Sequence, residues 1–78
     1  MKVKAFGIAK EILGNSSIHI EPDKVLTVGQ LKDYLFEHYP DMVKLKTMAI
    51  AVNQSYAPDE MFLTEDAEIV IIPPVSGG

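Results

Sequence analysis

Two glycines close the sequence, and they carry its main chemical opportunity. Gly77 and Gly78 lack Cβ atoms, so a diglycine end threads a narrow channel and lies extended against another backbone in conformations that other residues avoid. A carboxylate on Gly78 is also a handle. Activated as an acyl adenylate, it becomes an electrophile open to attack by sulfur or nitrogen. Pro73-Pro74 stands just before this end; each ring fixes φ, and neither nitrogen donates a hydrogen bond. Val75-Ser76-Gly77-Gly78 therefore reads as a slender tail, 75–78, rooted on a stiff stop and projecting from a domain of residues 1–74. The alternative is an incidental terminus, since chain ends are usually untethered.

No other residues assemble a catalytic constellation. Cysteine is absent, which removes a thiol nucleophile, a thiolate metal site and a disulfide framework. His19 and His38 have no second ligand at metal spacing. Both read as surface imidazoles, with His38 well placed to meet a helix C-terminus. Asp59-Glu60 and Glu65-Asp66-Ala67-Glu68 lack the ligand spacing and central glycine of a calcium loop. They are expected to be solvated turns, and an acidic rim can orient a basic partner. No serine is paired with a histidine in a recognisable context, and Gly7, Gly14 and Gly29 form no phosphate loop. The expectation is a chain that binds no metal and no cofactor of its own.

The elements that must position the tail follow from patterning. Seventy-eight residues, 47% hydrophobic and 23% charged, describe one small globular domain with little room for an internal active site. A net charge of −4 argues against nucleic acid and anionic membrane as partners. No apolar run approaches the ~18 residues of a membrane span. Met1-Lys2-Val3-Lys4 enters a strand pattern directly, without a secretory leader, so a soluble cytoplasmic domain is expected.

Lys2 to Ile8 alternates as a strand, with Val3 and Ala5 inward and Lys2, Lys4 and Phe6 outward. Ala9 to Leu13 predicts a single helical turn or a wide loop, closed by Gly14-Asn15. Ser17 to Glu21 is a second strand with Ile18 and Ile20 inward. Thr27-Val28-Gly29-Gln30 fits a capping box. It opens a helix to about Tyr39 whose buried stripe is Val28, Leu31 and Leu35, ended by Pro40. A connector over 41–47, with one turn of helix at most, leads to a strand from Met48 to Val52 and a turn at Asn53-Gln54-Ser55. Tyr56-Ala57 resumes as a short edge strand, and Ala67 to Ile72 is the last strand.

Two strands, one long helix and a returning set of strands suit an α+β roll with the helix across one face of a mixed sheet. The β-grasp arrangement satisfies this order, with the first and last strands parallel at the centre. Period-two logic then turns Ala67, Ile69 and Ile71 to the helix, and Glu68, Val70 and Ile72 to the other face. Phe6, Val70 and Ile72 are expected to cluster there beside the tail as a partner-binding patch, with Tyr56 near the same edge. The bland reading is a few tolerated exposed apolar residues.

The run Pro73-Pro74-Val75-Ser76-Gly77-Gly78 resembles the tail of the small, sulfur-carrying subunits of molybdopterin synthase, β-grasp relatives of ubiquitin. Similarity extends through Leu63-Thr64, Glu68, Ala51-Val52-Asn53-Gln54 and Lys10-Glu11-Ile12-Leu13-Gly14. The chain departs from the family at Glu65-Asp66-Ala67-Glu68, where the family often has Asp-Gly-Asp-Glu. The resemblance implies that a ubiquitin-activating-like enzyme adenylates Gly78 with ATP, and that a persulfide donor converts it to a thiocarboxylate. Val75, Ser76 and Gly77 then insert into a large subunit. Phe6, Tyr56, Val70, Ile72, Pro73 and Pro74 would hold the partner. Sulfur passes to cyclic pyranopterin monophosphate within a heterotetramer of two small and two large subunits. Rival readings are a sulfur carrier for thiamine thiazole synthesis, which usually lacks the Pro-Pro-Val-Ser run, a ubiquitin-like protein modifier, and a plain interaction module.

Overall fold

The computed structural model describes residues 1–21, 23–45 and 47–73. Five strands, β1 (Lys2–Ala5), β2 (Ser17–His19), β3 (Ala49–Val52), β4 (Ser55–Tyr56) and β5 (Ile69–Ile72), form one sheet in the order β2-β1-β5-β3-β4. The central pair β1 and β5 is parallel; every other pairing is antiparallel. Two α-helices, α1 (Gly7–Leu13) and α2 (Val28–His38), and a 3-10 helix (Pro40–Leu45) complete the domain. This is the expected α+β roll with β-grasp topology.

The core lies on one side of the sheet. Val3, Ala5, Ile69 and Ile71 on the central strands are sealed from solvent, as are Val28, Leu31 and Leu35 of α2. Burying a side chain of this size stabilises the fold by roughly 1.5–3 kcal/mol each before entropy is counted. A β-branched last strand suits this central position, because both its edges are paired and its pleat is half-buried.

Helix α2 is fastened at its start by four different acceptors. Thr27 Oγ1 accepts from the Gln30 N–H at 3.2 Å, the forward half of the capping box. The reverse half is displaced by one residue: Gln30 Oε1 accepts from the Leu26 N–H at 2.8 Å. The Val28 and Gly29 amides, otherwise orphaned in the first turn, donate to the carbonyls of Met61 (3.0 Å) and Asp59 (2.8 Å). Glycine suits position 29 because the approach is close: a Cβ there would sit 3.3 Å from the Asp59 carbonyl oxygen, so the neighbouring backbone would have to give by a few tenths of an ångström. Helix α2 ends at His38, ahead of Pro40 as expected.

The first loop differs from expectation. β1 stops at Ala5, short of Ile8, because Gly7 takes φ +57° and leaves the extended region. Instead of a single turn, a seven-residue helix α1 follows, anchored by buried Ala9 and Leu13 one helical period apart. Gly14, at φ 81°, closes it with its N–H on the Lys10 carbonyl. The 3-10 helix is also longer than the one turn expected from the connector.

Strand ends shift by smaller amounts. β3 begins at Ala49, since the Met48 N–H is already engaged by the Leu45 carbonyl at 2.8 Å. The β3–β4 turn uses only Asn53 and Gln54, at φ 51° and 72°, the left-handed geometry that two-residue hairpins favour. Ser55 therefore belongs to β4. β5 begins at Ile69: the Glu68 N–H is taken by the Asn53 side chain at 3.0 Å, and the Glu68 carbonyl by the Asn53 N–H at 2.8 Å. At the departure from Asp-Gly-Asp-Glu, the turn closes without glycine through an Ala67 N–H to Thr64 carbonyl bond of 3.1 Å.

Candidate partner-docking face

The side of the sheet away from α2 is open. Register places Lys4 beside Val70, Val70 beside Ala51, and Ala51 beside Tyr56, a row crossing four strands. Ile72 sits beside Ala49 in the next row, and Phe6 stands one residue past the Ala5–Ile71 pair. Val70 and Ile72 are half-buried; Phe6 and Tyr56 are 60% and 73% exposed.

The alanines explain why this surface is concave. With Ala51 as floor, Gln54, Tyr56, Glu68, Val70 and Ile72 enclose a groove of about 320 Å³. Groove and chain exit coincide, because Ile72 ends β5 and half-buried Pro73 follows it directly. Of the sequence-derived residues, Tyr56, Val70 and Ile72 thus share one concavity. Phe6 does not join it. Phe6 lines a neighbouring depression of about 230 Å³ with Lys2, Lys4, Ser16 and Ser17, so the single patch expected from alternation is two adjoining surfaces. Lys4 stands between them, its Nζ 3.7 Å from Glu68 Oε2, both side chains nearly half exposed. Such a pair contributes about 0–1 kcal/mol to stability. Its more useful effect is to give the rim of an apolar groove one fixed charge of each sign.

Alternation put Lys4 and Glu68 on this face without assigning them to the patch, and it missed Gln54 and Ala51 as parts of it. The signal for Ala51 was present: two alanines alternating with large residues on β3 leave space on the face they occupy. Pro74, Val75, Ser76, Gly77 and Gly78, the remaining candidate residues, lie outside the described residues.

The histidines take local partners. His19 Nε2 lies 3.9 Å from Glu21 Oε1. His38 stacks on Tyr34 at 4.0 Å between ring centroids, with Nδ1 3.1 Å from the Tyr34 carbonyl oxygen. Among the described residues, no three histidine or carboxylate side chains gather as a metal site. No helix among them is long and apolar enough to cross a membrane.

Comparison with known proteins places this geometry. The model of the ThiS family matches residues 3–78. The chain belongs to the ThiS family. Similar curated relatives include the molybdopterin synthase sulfur carrier subunit of Caenorhabditis elegans, 36% identical over 81 residues, spanning 100% of this chain and 96% of that protein. The Dictyostelium discoideum protein of the same name is 37% identical over 81 residues, spanning 99% and 94%. Among solved structures, the chain resembles one in the complex of subunits 1 and 2 of molybdopterin-converting factor from Helicobacter pylori. That match has a TM-score of 0.69 and 26% identity, over 99% of this chain and 96% of the other. The crystal structure of SAMP1 from Haloferax volcanii matches at TM-score 0.80 and 23% identity, over 99% and 97%, and shows the ubiquitin-like β-grasp fold.

Proposed function

We propose that this chain is the sulfur carrier subunit of a molybdopterin synthase. One observation carries the reading: the apolar groove of Tyr56, Val70 and Ile72 opens beside Pro73, where the chain leaves the sheet. A partner seated on that groove receives the 75–78 tail directly. The name of the Helicobacter pylori complex, subunits 1 and 2 together, supports a large-subunit partner, as do the names of the curated relatives.

In this reading the chain is not catalytic alone. The Gly78 carboxylate attacks ATP bound to a ubiquitin-activating-like enzyme and forms a glycyl adenylate with release of pyrophosphate. A persulfide sulfur displaces AMP, and a second thiol cleaves the resulting sulfur–sulfur bond to leave a thiocarboxylate on Gly78. Gly77 and Ser76 are small enough to follow it into the large subunit's channel, with Val75 behind them. The Pro73-Pro74 pair fixes φ at two successive residues and donates no ladder hydrogen bond. The large subunit supplies the catalytic lysine and other basic residues, and sulfur passes to cyclic pyranopterin monophosphate. Each transfer returns Gly78 to a carboxylate after hydrolysis, and two transfers build the dithiolene. The assembly is a heterotetramer of two small and two large subunits acting in the cytoplasm, and ATP is consumed at the activating enzyme with no cofactor resident on this chain.

Adding one residue after Gly78, or deleting Gly78, tests the reading in a reconstituted system of activating enzyme, sulfur donor, large subunit and precursor. Molybdopterin formation is expected to fall to background while large-subunit binding persists through the groove. Unchanged product formation would reduce the chain to an adaptor. Normal thiocarboxylate formation without transfer to the pterin precursor would point to the thiazole pathway.

A further inference from the structure

We propose that Gln54 is a binding residue for the large subunit, its side-chain amide pairing with the main chain of an extended partner segment inside the Tyr56 groove. The inference rests on the docking reading above and deepens it. Backbone geometry singles the residue out. The β3–β4 hairpin turns on Asn53 and Gln54 alone, at φ 51° and 72°. Two-residue loops of this kind favour Asn-Gly, because both central residues enter the left-handed region. Asparagine adopts that region more readily than most side chains, and glycine adopts it freely. Glutamine has neither advantage, so Gln54 holds a conformation that costs stability where glycine would not. Strained positions of this kind cluster at ligand contacts. The neighbouring residue shows what a purely structural reason looks like. Asn53 is tied into the fold twice: its N–H donates to the Glu68 carbonyl at 2.8 Å, and its Oδ1 accepts from the Glu68 N–H at 3.0 Å. The Gln54 side chain makes no hydrogen bond among the described residues. Exposed, it lines the groove instead.

The surroundings select what that amide meets. Ala51, Val70 and Ile72 give the groove an apolar floor and wall. Glu68, the one carboxylate in the lining, already has Lys4 Nζ 3.7 Å away. A partner group seated there loses its water, and a neutral group then costs far less to bury than a charged one. A carboxamide offers an acceptor and donors side by side. That set matches the N–H and C=O which one residue of an extended chain turns to the same side. The amide thus reads backbone rather than a particular side chain, and Tyr56, Val70 and Ile72 supply the apolar contact around it.

The test uses the full chain, labelled with nitrogen-15 and titrated with the large subunit. Gln30 and Gln54 are the two glutamines of the sequence, and Gln30, whose Oε1 accepts from the Leu26 N–H, serves as the internal reference. The Gln54 side-chain amide is expected to shift saturably and to exchange more slowly with solvent, while that of Gln30 stays in place. Gln54→Gly should move the two properties in opposite directions. Its melting temperature should rise by about 4 °C, and its affinity for the large subunit should fall about fivefold. Gln54→Glu keeps the shape but loses the donors, so it should bind at least as weakly without the gain in stability. A Gln54→Gly chain that binds like the wild type, while Tyr56→Ala binds weakly, overturns this inference and leaves the docking face standing. Loss of affinity in neither variant overturns the docking reading and the inference with it. A fall in both affinity and melting temperature for Gln54→Gly would make Gln54 a structural residue, and also overturns the inference.

Discussion

Along β5 the same kind of residue serves two purposes. Ile69 and Ile71 are fully buried against α2, whereas Val70 and Ile72, their immediate neighbours, stay half-buried on the open face. Chemistry does not separate the two pairs; pleat direction does. On the helix side, Ile69 and Ile71 are surrounded and contribute to stability. On the open side, small Ala49 and Ala51 leave a groove that nothing in the chain fills, among the described residues. Apolar surface left partly exposed around a groove, beside Pro73, is surface available to a partner.

The contrast can be broken most forcefully at Ile71. Ile71→Ala should lower stability by about 2–5 kcal/mol, measured by urea denaturation, while the folded fraction binds the large subunit normally. An equal loss of affinity per folded molecule would show that the two faces are not independent. Tyr56→Ala probes the opposite face. It should weaken large-subunit affinity by about 2 kcal/mol, the scale of an aromatic hot spot, in titration calorimetry. Stability should change little, because Tyr56 is 73% exposed. A large fall in melting temperature with affinity intact would reverse the assignment. Thr27→Ala sharpens the helix side, with an expected loss of about 1 kcal/mol and no effect on binding, read from denaturation of the α2 signal. Lys4→Ala is the smallest: within about 1 kcal/mol in stability, with a change in association rate that added salt suppresses.

Much of this contrast was legible in the sequence, for reasons visible at particular residues. Alternation around Glu68 sorted Val70 and Ile72 from Ile69 and Ile71, because a one-residue slip would have buried a carboxylate. Thr27 and Pro40 bracketed α2, since a cap and a helix breaker act locally. The parallel centre followed from a single long helix between two strands before it and three after it. What remained hidden depends on contacts distant in sequence. Gly7 could not be read as a strand terminator, because alternation does not reveal a positive φ, which here stands at the start of α1, buried through Ala9 and Leu13. The role of segment 58–63 was hidden as well: the Asp59 and Met61 carbonyls cap α2, and the Lys32–Asp59 ion pair, at 2.8 Å, braces the junction. The split of Phe6 from the groove was hidden too, since it follows from Lys4 lying beside Val70.

The most direct measurement is the intact mass of the chain recovered from its own cells. A carrier predicts a fraction heavier by one exchange of oxygen for sulfur, mapped to Gly78 and lost on incubation with the large subunit and the pterin precursor. A terminus that is never thiolated under molybdenum-cofactor demand, or one recovered only in amide linkage to lysines of other proteins, would contradict the account.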